Sequence, residues 1–495
     1  MLSPTPRPSR AAGYTVLAVA LTALALGTAA WLFVRYPGVL VSGVANTDPK
    51  GHVDFETFWR STVALLHGAD TYQTGSVLPN LNPPFLSLLL APFGLLAMLP
   101  SYWAFSALTV LLVTAAVLLT ARELRLGRGA TVFAVLTMWA SSPLHGTLLL
   151  GQIYGLLLFG LVLAWLAQRR GREVLAAVLL GVVVALKPSL APLLLIPLAQ
   201  RRWPALWAGI ASAGVTSVAG VLAAGPSSAL EWLRLATHTP APEVDANASL
   251  PGLVARLGGP GQVGWLLTVA VVLGSLWWIR RAPASPGGLP PGVVERADAT
   301  IFAVAAGCLV AAPIAWLNYT VMLWPGALVL LRAGRWRVAV PLLVFPVIPV
   351  AWGNLWQAAP TATVSLVGRS LYCAVLLGFW IALLEFARNY PASPFAAPVE
   401  GAVAAPATGS DPAGREATVE SGAAEPGAAG SAAARSTAAG SAAARSGTAG
   451  AAGAGSPRSQ STPLGGIRSD AEAGRPCQGS SVATTEPRFP TPEPP

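Results

Sequence analysis

Residues 102–121 read YWAFSALTVLLVTAAVLLTA, and residues 122–128 continue RELRLGR. The first run is twenty residues without a charge, long enough to cross a hydrocarbon core of roughly 30 Å as a helix. Arg122, Arg125 and Arg128 follow at once. An apolar run stopped by arginines predicts a membrane helix whose arginine end stays on the cytoplasmic side.

The pattern recurs outward from there. The chain has 495 residues, 54% hydrophobic and only 11% charged, and its mean hydropathy is +0.59. Soluble domains rarely reach such values. Further arginine clusters stand at Arg169–Arg172, Arg201–Arg202, Arg280–Arg281, Arg332–Arg337 and Arg388. Placing every cluster inside predicts twelve spans, roughly 14–34, 102–121, 130–142, 152–168, 173–187, 189–200, 204–224, 263–280, 298–312, 319–332, 338–352 and 365–386. An even number leaves both termini cytoplasmic. Arg7 and Arg10 precede the run from Tyr14 to Val34, which is too long for the apolar core of a cleaved signal and reads as a retained first span. The expected fold class is all-α: a polytopic membrane protein, with residues 1–13 as a cytoplasmic N-terminus and 14–388 as the membrane domain.

Two stretches break the pattern. Residues 85–98 are apolar but short, bounded by Pro83-Pro84 and Pro100, and read as a half-helix on the outer face. From Pro391 onward Ala, Gly, Ser, Pro and Thr dominate, and Gly430 to Ser436 returns as Gly440 to Ser446. Such a composition buries too little apolar area to offset chain entropy, so 389–495 reads as a disordered cytoplasmic tail.

The net charge is +10, and the part from Tyr390 on carries seven Arg against nine acids. The membrane part therefore holds the whole excess in short loops, which orients helices and does not point to nucleic acid. Cys308, Cys373 and Cys477 are far apart, which fits neither a disulfide framework nor a zinc site. No metal and no cofactor are expected.

The first outer loop, Arg35 to about Tyr102, carries His52-Val53-Asp54-Phe55-Glu56. An i, i+2 pair lies on different faces of a helix or on one face of a strand. Either Asp54 or Glu56 suits a general base that takes a proton from a hydroxyl, and partial burial would raise its pKa toward that task. A pair of solvated loop acids is the plain alternative. Arg60 fits an i, i+4 ion pair with Glu56, and equally a fork around a phosphate.

Lys187, one of two lysines with Lys50, ends a short apolar segment before Pro188. It fits snorkelling to headgroups or anion binding, and the proline and outward position favour the second. A second outer loop, Gly225 to Gln262, holds Trp232, His238, Asp245 and Asn247. Under the arginine-set topology Asp54, Glu56, Arg60, Asn82, Gln152, Lys187, Asn247 and Asn318 all emerge on one face, with Tyr319 next to Asn318 at an outer turn. Gln152 is also readable as a polar first residue of a helix, and Asn318 as part of a tight hairpin. A base, a lone lysine and several amides suit transfer from a phosphate-linked donor to a hydroxyl acceptor, with the lysine stabilising the departing phosphate. The chain has no Walker loop and no dinucleotide-binding glycine pattern, so a cytosolic nucleotide donor is disfavoured.

These residues fall in order into a known pattern. Asp54 is followed by Leu66-His67-Gly68-Ala69-Asp70-Thr71-Tyr72, then by Asn82-Pro83-Pro84 and an apolar run ending near Pro92. Gly151-Gln152-Ile153-Tyr154, Ala185-Leu186-Lys187-Pro188, Asn247-Ala248-Ser249-Leu250 and Pro313-Ile314-Ala315-Trp316 come next. In these pieces the chain resembles glycosyltransferase family 87, the polyprenyl-phosphate-mannose-dependent mannosyltransferases, over about residues 14–388. The resemblance implies a GT-C-type bundle of about twelve membrane helices with outer-face loops. It also implies inverting transfer of a hexose, mannose above all, from a polyprenyl-phosphate sugar donor to a hydroxyl of an envelope lipid or glycan. By the same resemblance Asp54 is the base; the residues' own chemistry adds Glu56 as a possible second acid and Lys187 with Arg60 as the phosphate holders. Asn82, Gln152, Asn247, Asn318 and Tyr319 are then candidates for substrate contact, on the extracytoplasmic side of the cell membrane. Many members carry a His just after the tryptophan that Trp316 matches, where this chain has Leu317-Asn318-Tyr319. Asn can form hydrogen bonds there but carries no proton. Members also tend to have an aromatic residue where Asn82 precedes the proline pair.

Two other readings fit the composition. One is a transporter or flippase for a lipid-linked sugar, against which stand the nearly charge-free spans and the lack of repeated halves. The other is a catalytically silent envelope-assembly protein, for which the missing His is the hint.

Overall fold

The computed structural model describes residues 49–238, 247–283, 287–347 and 361–390, with Ala23 and Gly27 as isolated helical positions. The expected first span at 14–34 and the tail from Pro391 lie outside the described residues. No strand forms among the described residues, where a single antiparallel bridge joins Asn247 to Trp316. The helices are α1 (Val53–Leu66), α2 (Pro84–Leu89), α3 (Ala91–Gly94), α4 (Met98–Glu123), α5 (Arg128–Trp139), α6 (Ser142–Leu150), α7 (Tyr154–Arg169) and α8 (Glu173–Leu186). After them come α9 (Ile196–Ala199), α10 (Trp203–Ala224), α11 (Pro226–His238), α12 (Leu250–Arg256), α13 (Gly261–Ile279), α14 (Arg296–Ala311), α15 (Trp324–Arg332), α16 (Trp336–Val344) and α17 (Ala362–Asn389).

Among the described residues four helical stretches are long and apolar enough to cross a membrane: Met98–Glu123, Trp203–Ala224, Gly261–Ile279 and Ser365–Asn389. A fifth arises if α5 and α6, bent by 46° at their junction, count as one. Their outward faces are apolar: Leu111 is 64% exposed, Val215 72%, Leu222 80% and Leu273 60%. Contiguous exposed leucine and valine are what a lipid-facing surface requires and an aqueous one avoids. The chain is a helical membrane protein.

Among the described residues the expected twelve spans are not confirmed, and prolines break several of the expected ones. The runs at 173–187 and 189–200 are not two helices of span length: α8 stops at Leu186, and Pro188–Leu195 is a 3-10 helix with Pro192 inside. Each proline removes a backbone donor and crowds the preceding turn. Likewise 319–332 divides into a 3-10 helix, Leu317–Leu323, and α15, restarted at Pro325. The run at 338–352 carries Pro341 inside α16 and passes into a 3-10 helix at Phe345–Val347. The half-helix expected at 85–98 is two pieces, α2 and α3, broken at Leu90 before Pro92. Helix α4 starts at Met98, four residues before the predicted span.

The bundle has two chemically distinct ends. Helix α7 runs from Tyr154 to Arg169, about 24 Å at 1.5 Å per residue. At its C-terminal end the buried Arg169 binds Glu123 of α4 at 3.1 Å and Asp298 of α14 at 2.5 Å. Asp298 also accepts from the Glu295 backbone N–H at 2.8 Å, closing a capping box on α14. Three helix ends are tied there by one guanidinium. The opposite ends of the same helices meet α1 and the loops around it.

Candidate active site

A cavity of about 460 Å³ opens at the end of the bundle opposite Arg169. Its wall is polar where Asp54, Asn82, Gln152, Lys187 and Ser189 reach it, and aromatic where Phe58, Tyr154, Trp232, Trp316 and Tyr319 do. Local chemistry builds each wall.

Asp54 lies in the first turn of α1. The helix is pinned by His52, whose Nδ1 donates to the Leu149 carbonyl at 2.7 Å and whose ring stacks on Tyr102 at 3.6 Å. The Tyr102 hydroxyl donates to the Leu148 carbonyl at 2.8 Å, fixing the same corner. Opposite stands the end of α6, which closes on Gly151 at φ +71°. Gly151 N–H donates to Leu148 O at 3.1 Å and Gln152 N–H to Thr147 O at 2.8 Å, a left-handed glycine cap. A Cβ built on Gly151 would overlap the Phe55 Cβ. Glycine therefore lets α1 approach closely enough for Gln152 Nε2 to donate to Asp54 Oδ2 at 2.5 Å.

Lys187 reaches the cavity because Pro188 forbids the helical conformation before it. Its backbone is extended, φ −139° and ψ 86°. Its Nζ lies 4.9 Å from the Tyr319 ring centroid, cation–π range, and Tyr319 packs on Tyr154 with centroids 4.3 Å apart. Burial raises the Asp54 pKa above its ordinary 3.8, while the Gln152 hydrogen bond and the Lys187 charge oppose that rise. A carboxylate so placed holds a proton more readily than one in water, yet remains ionisable.

The loop between α1 and α2 forms the rim. Asp70 Oδ1 accepts from Tyr72 N–H at 2.8 Å, and the Tyr72 hydroxyl donates to the Asn82 carbonyl at 2.7 Å. Asn80 accepts from the Asn82 backbone at 3.0 Å and donates to Ser61 at 3.0 Å. From α11, Trp232 Nε1 donates to the Leu81 carbonyl at 3.2 Å.

Five expected residues, Asp54, Asn82, Gln152, Lys187 and Tyr319, meet in this cavity, and four others do not line it. Glu56 is turned away on the far side of α1, buried, and holds Arg60 Nε at 2.7 Å. The i, i+2 spacing on a helix accounts for that separation, and the pair takes Arg60 with it. Asn247, wholly buried, is a clamp: its Oδ1 accepts from Ala315 N–H at 3.0 Å and Ser249 Oγ at 2.9 Å, and its Nδ2 donates to Pro313 O at 3.1 Å. It fixes the segment that presents Pro313, Ile314 and Trp316 to the cavity. Asn318 is buried against Gly146, where any Cβ would collide with its amide. Tyr154 and Trp232 were not among the expected site residues. The available signals were Tyr154 two positions after Gln152 and the i, i+4 pair Trp232 and Ala236 on one face of α11. Among the described residues no group of His, Cys, Asp and Glu could hold a metal ion.

Residues 80–311 match the model of glycosyltransferase family 87. Over this segment the chain resembles that family. An alpha-(1->3)-arabinofuranosyltransferase of Mycobacterium tuberculosis is 33% identical over 270 residues, 52% of this chain and 61% of the relative. Its counterpart in Mycolicibacterium smegmatis is 32% identical over 276 residues, 52% of this chain and 63% of the relative. A polyprenol-phosphate-mannose-dependent alpha-(1-2)-phosphatidylinositol mannoside mannosyltransferase of Mycobacterium tuberculosis is 27% identical over 351 residues, 64% of this chain and 76% of the relative. The match to the arabinofuranosyltransferases thus spans about three fifths of their length. No solved structure matches the chain. The matched segment contains Asn82, Gln152, Tyr154, Lys187 and Trp232, and it begins after Asp54.

Proposed function

We propose that this protein is a membrane glycosyltransferase of family 87 that moves a sugar from a polyprenyl-phosphate donor to a hydroxyl of an envelope lipid or glycan. One observation carries the reading: Asp54, held by Gln152 at 2.5 Å, and Lys187 share one cavity. That cavity lies at the end of apolar helices, where a lipid-borne donor can arrive from the bilayer. Asp54 takes the proton from the acceptor hydroxyl as its oxygen attacks the anomeric carbon. The bond from that carbon to the phosphate oxygen breaks, and its electron pair leaves with the phosphate. The Lys187 cation, set over Tyr319, stabilises the developing charge. Tyr154, Trp232 and Trp316 offer flat faces for a sugar ring. Single displacement inverts the anomeric centre. No nucleotide takes part.

The arginine end of the bundle is cytoplasmic in this reading, and the cavity faces the outer side. Mannose is the sugar the family resemblance implies, whereas the likeness to arabinofuranosyltransferases, at 32–33% against 27% identity, favours an arabinofuranose. The test offers purified protein in lipid either polyprenyl-phosphate mannose or polyprenyl-phosphate arabinofuranose, each radiolabelled, with an envelope glycolipid extract. Transfer from one donor by the wild type, reduced about 10²–10⁴-fold in Asp54→Asn, is the expected outcome. Equal transfer by both proteins removes Asp54 as the base.

A further inference from the structure

A second cavity of about 460 Å³ lies at the other end of the bundle, walled by Arg122, Arg125 and Arg170 with Glu123, Leu119 and Leu166. Its composition differs from that of the first: three guanidiniums against one carboxylate, on a floor of leucine. The carboxylate is already engaged, since Glu123 accepts from buried Arg169 at 3.1 Å. Arg170 comes only to 3.9 Å of it. Arg122 and Arg125 have no ion-pair partner among the described residues.

The arrangement is built, not a frayed helix end. Arg125 has φ +49°, a left-handed backbone that side chains other than glycine rarely adopt. Its stem runs beside Gly292, where an added Cβ would come within 3.0 Å of Arg125 Cδ. Gly292 in turn donates its N–H to the Glu123 carbonyl at 2.8 Å. The loop before α14 therefore holds Arg125 where it stands, at the cost of an unusual backbone. The negative ends of the α4 and α7 dipoles also point here and oppose an anion. Three cations outweigh them.

Position selects the ligand. Leu119 lies one turn inside the end of α4, a helix long enough to cross the membrane. Its neighbour Leu118 is 46% exposed on the outer face of that helix. The cavity therefore sits where the apolar span gives way to charge, with Leu119 and Leu166 on its apolar side and three guanidiniums on its polar side. A soluble anion needs no leucine floor, whereas a phosphodiester attached to acyl chains needs both. We propose that the arginine end of the bundle carries a binding site for the headgroup of an anionic phospholipid, seated among Arg122, Arg125 and Arg170. The site lies at the opposite end of the bundle from Asp54 and does not depend on the proposed sugar transfer.

Native mass spectrometry of the full chain, released from detergent containing equal phosphatidylcholine and phosphatidylglycerol, tests this. The wild type retains phosphatidylglycerol in preference, and inorganic phosphate at matched ionic strength does not displace it. The variant Arg122→Gln/Arg125→Gln, at two exposed positions, weakens retention by roughly thirtyfold, the loss expected of two arginine–lipid contacts. The charge-matched variant Arg281→Gln/Arg337→Gln retains it. Equal retention by the first variant, equal loss in the second, no preference between the lipids, or displacement by inorganic phosphate would each overturn the proposal. The lipid preference and the phosphate competition are read on the wild type, so they decide even if a variant folds poorly.

Discussion

Asp54 must be ionised to accept a proton, so kcat/KM falls as pH drops through its pKa. Burial sets that pKa above 3.8, with Gln152 and then Lys187 pulling it back. Gln152→Leu should therefore move the acid limb of the pH profile upward, and Lys187→Met should move it the same way by less. A limb that stays in place in both variants would assign it to another group. Stability runs the opposite way with pH. The folded pKa exceeds the unfolded one, so Asp54 favours the fold while protonated and that contribution is lost as pH rises through the folded pKa. Asp54→Asn should raise Tm at neutral pH, with a gain that shrinks as pH falls and vanishes below the unfolded pKa. Thermal unfolding in detergent across that range measures it. The sequence marks Asp54 as an acid in an apolar chain, but its depth of burial and its bond to Gln152, 98 positions away, exist only once α1 meets the end of α6.

At the scale of elements, the cavity depends on where helices stop. Gly151 ends α6 at φ +71° against Phe55. Gly151→Ala forces a left-handed alanine, costing about 1–2 kcal/mol, and drives α1 away from Gln152. Both stability and transfer should fall, whereas Gly127→Ala, with nothing within 4 Å of the new methyl, should leave both unchanged. Asn247→Ala strands the Ala315 N–H that the amide satisfies and leaves the Pro313 carbonyl with only the Ser249 hydroxyl at 3.4 Å. Buried polar groups left without partners cost about 1–3 kcal/mol each, so a clear fall in Tm is expected, with loss of activity as Trp316 loosens. An unchanged Tm would show that the clamp is replaceable. Asn247 and Gln152 look alike in sequence, as amides beside apolar runs. One holds backbone and the other holds the acid, and only their neighbours decide which.

For the whole molecule, the opposed ends predict opposed accessibility. In a cysteine-free background, Gln73→Cys on the rim should react with a membrane-impermeant maleimide in intact cells, and Arg128→Cys only after lysis. The reverse pattern would invert the proposed orientation. Composition alone settles that the chain belongs in a bilayer, because apolar runs without charge have no other stable solvent. The arginines alone mark one end of the bundle as different from the other. Proline positions announce broken helices, yet the number of full spans was not legible, since hydropathy counts apolar residues and cannot see a 3-10 turn or a bend. What only the tertiary structure decided is which polar residues converge. Asp54, Gln152, Lys187 and Tyr319 lie on four separate segments, and Glu56, Arg60, Asn247 and Asn318, equally polar, are turned aside by helix phase and local hydrogen bonds. Hydrophobicity is a property of each residue and survives in the sequence, whereas direction is a property of packing and appears only when the helices meet.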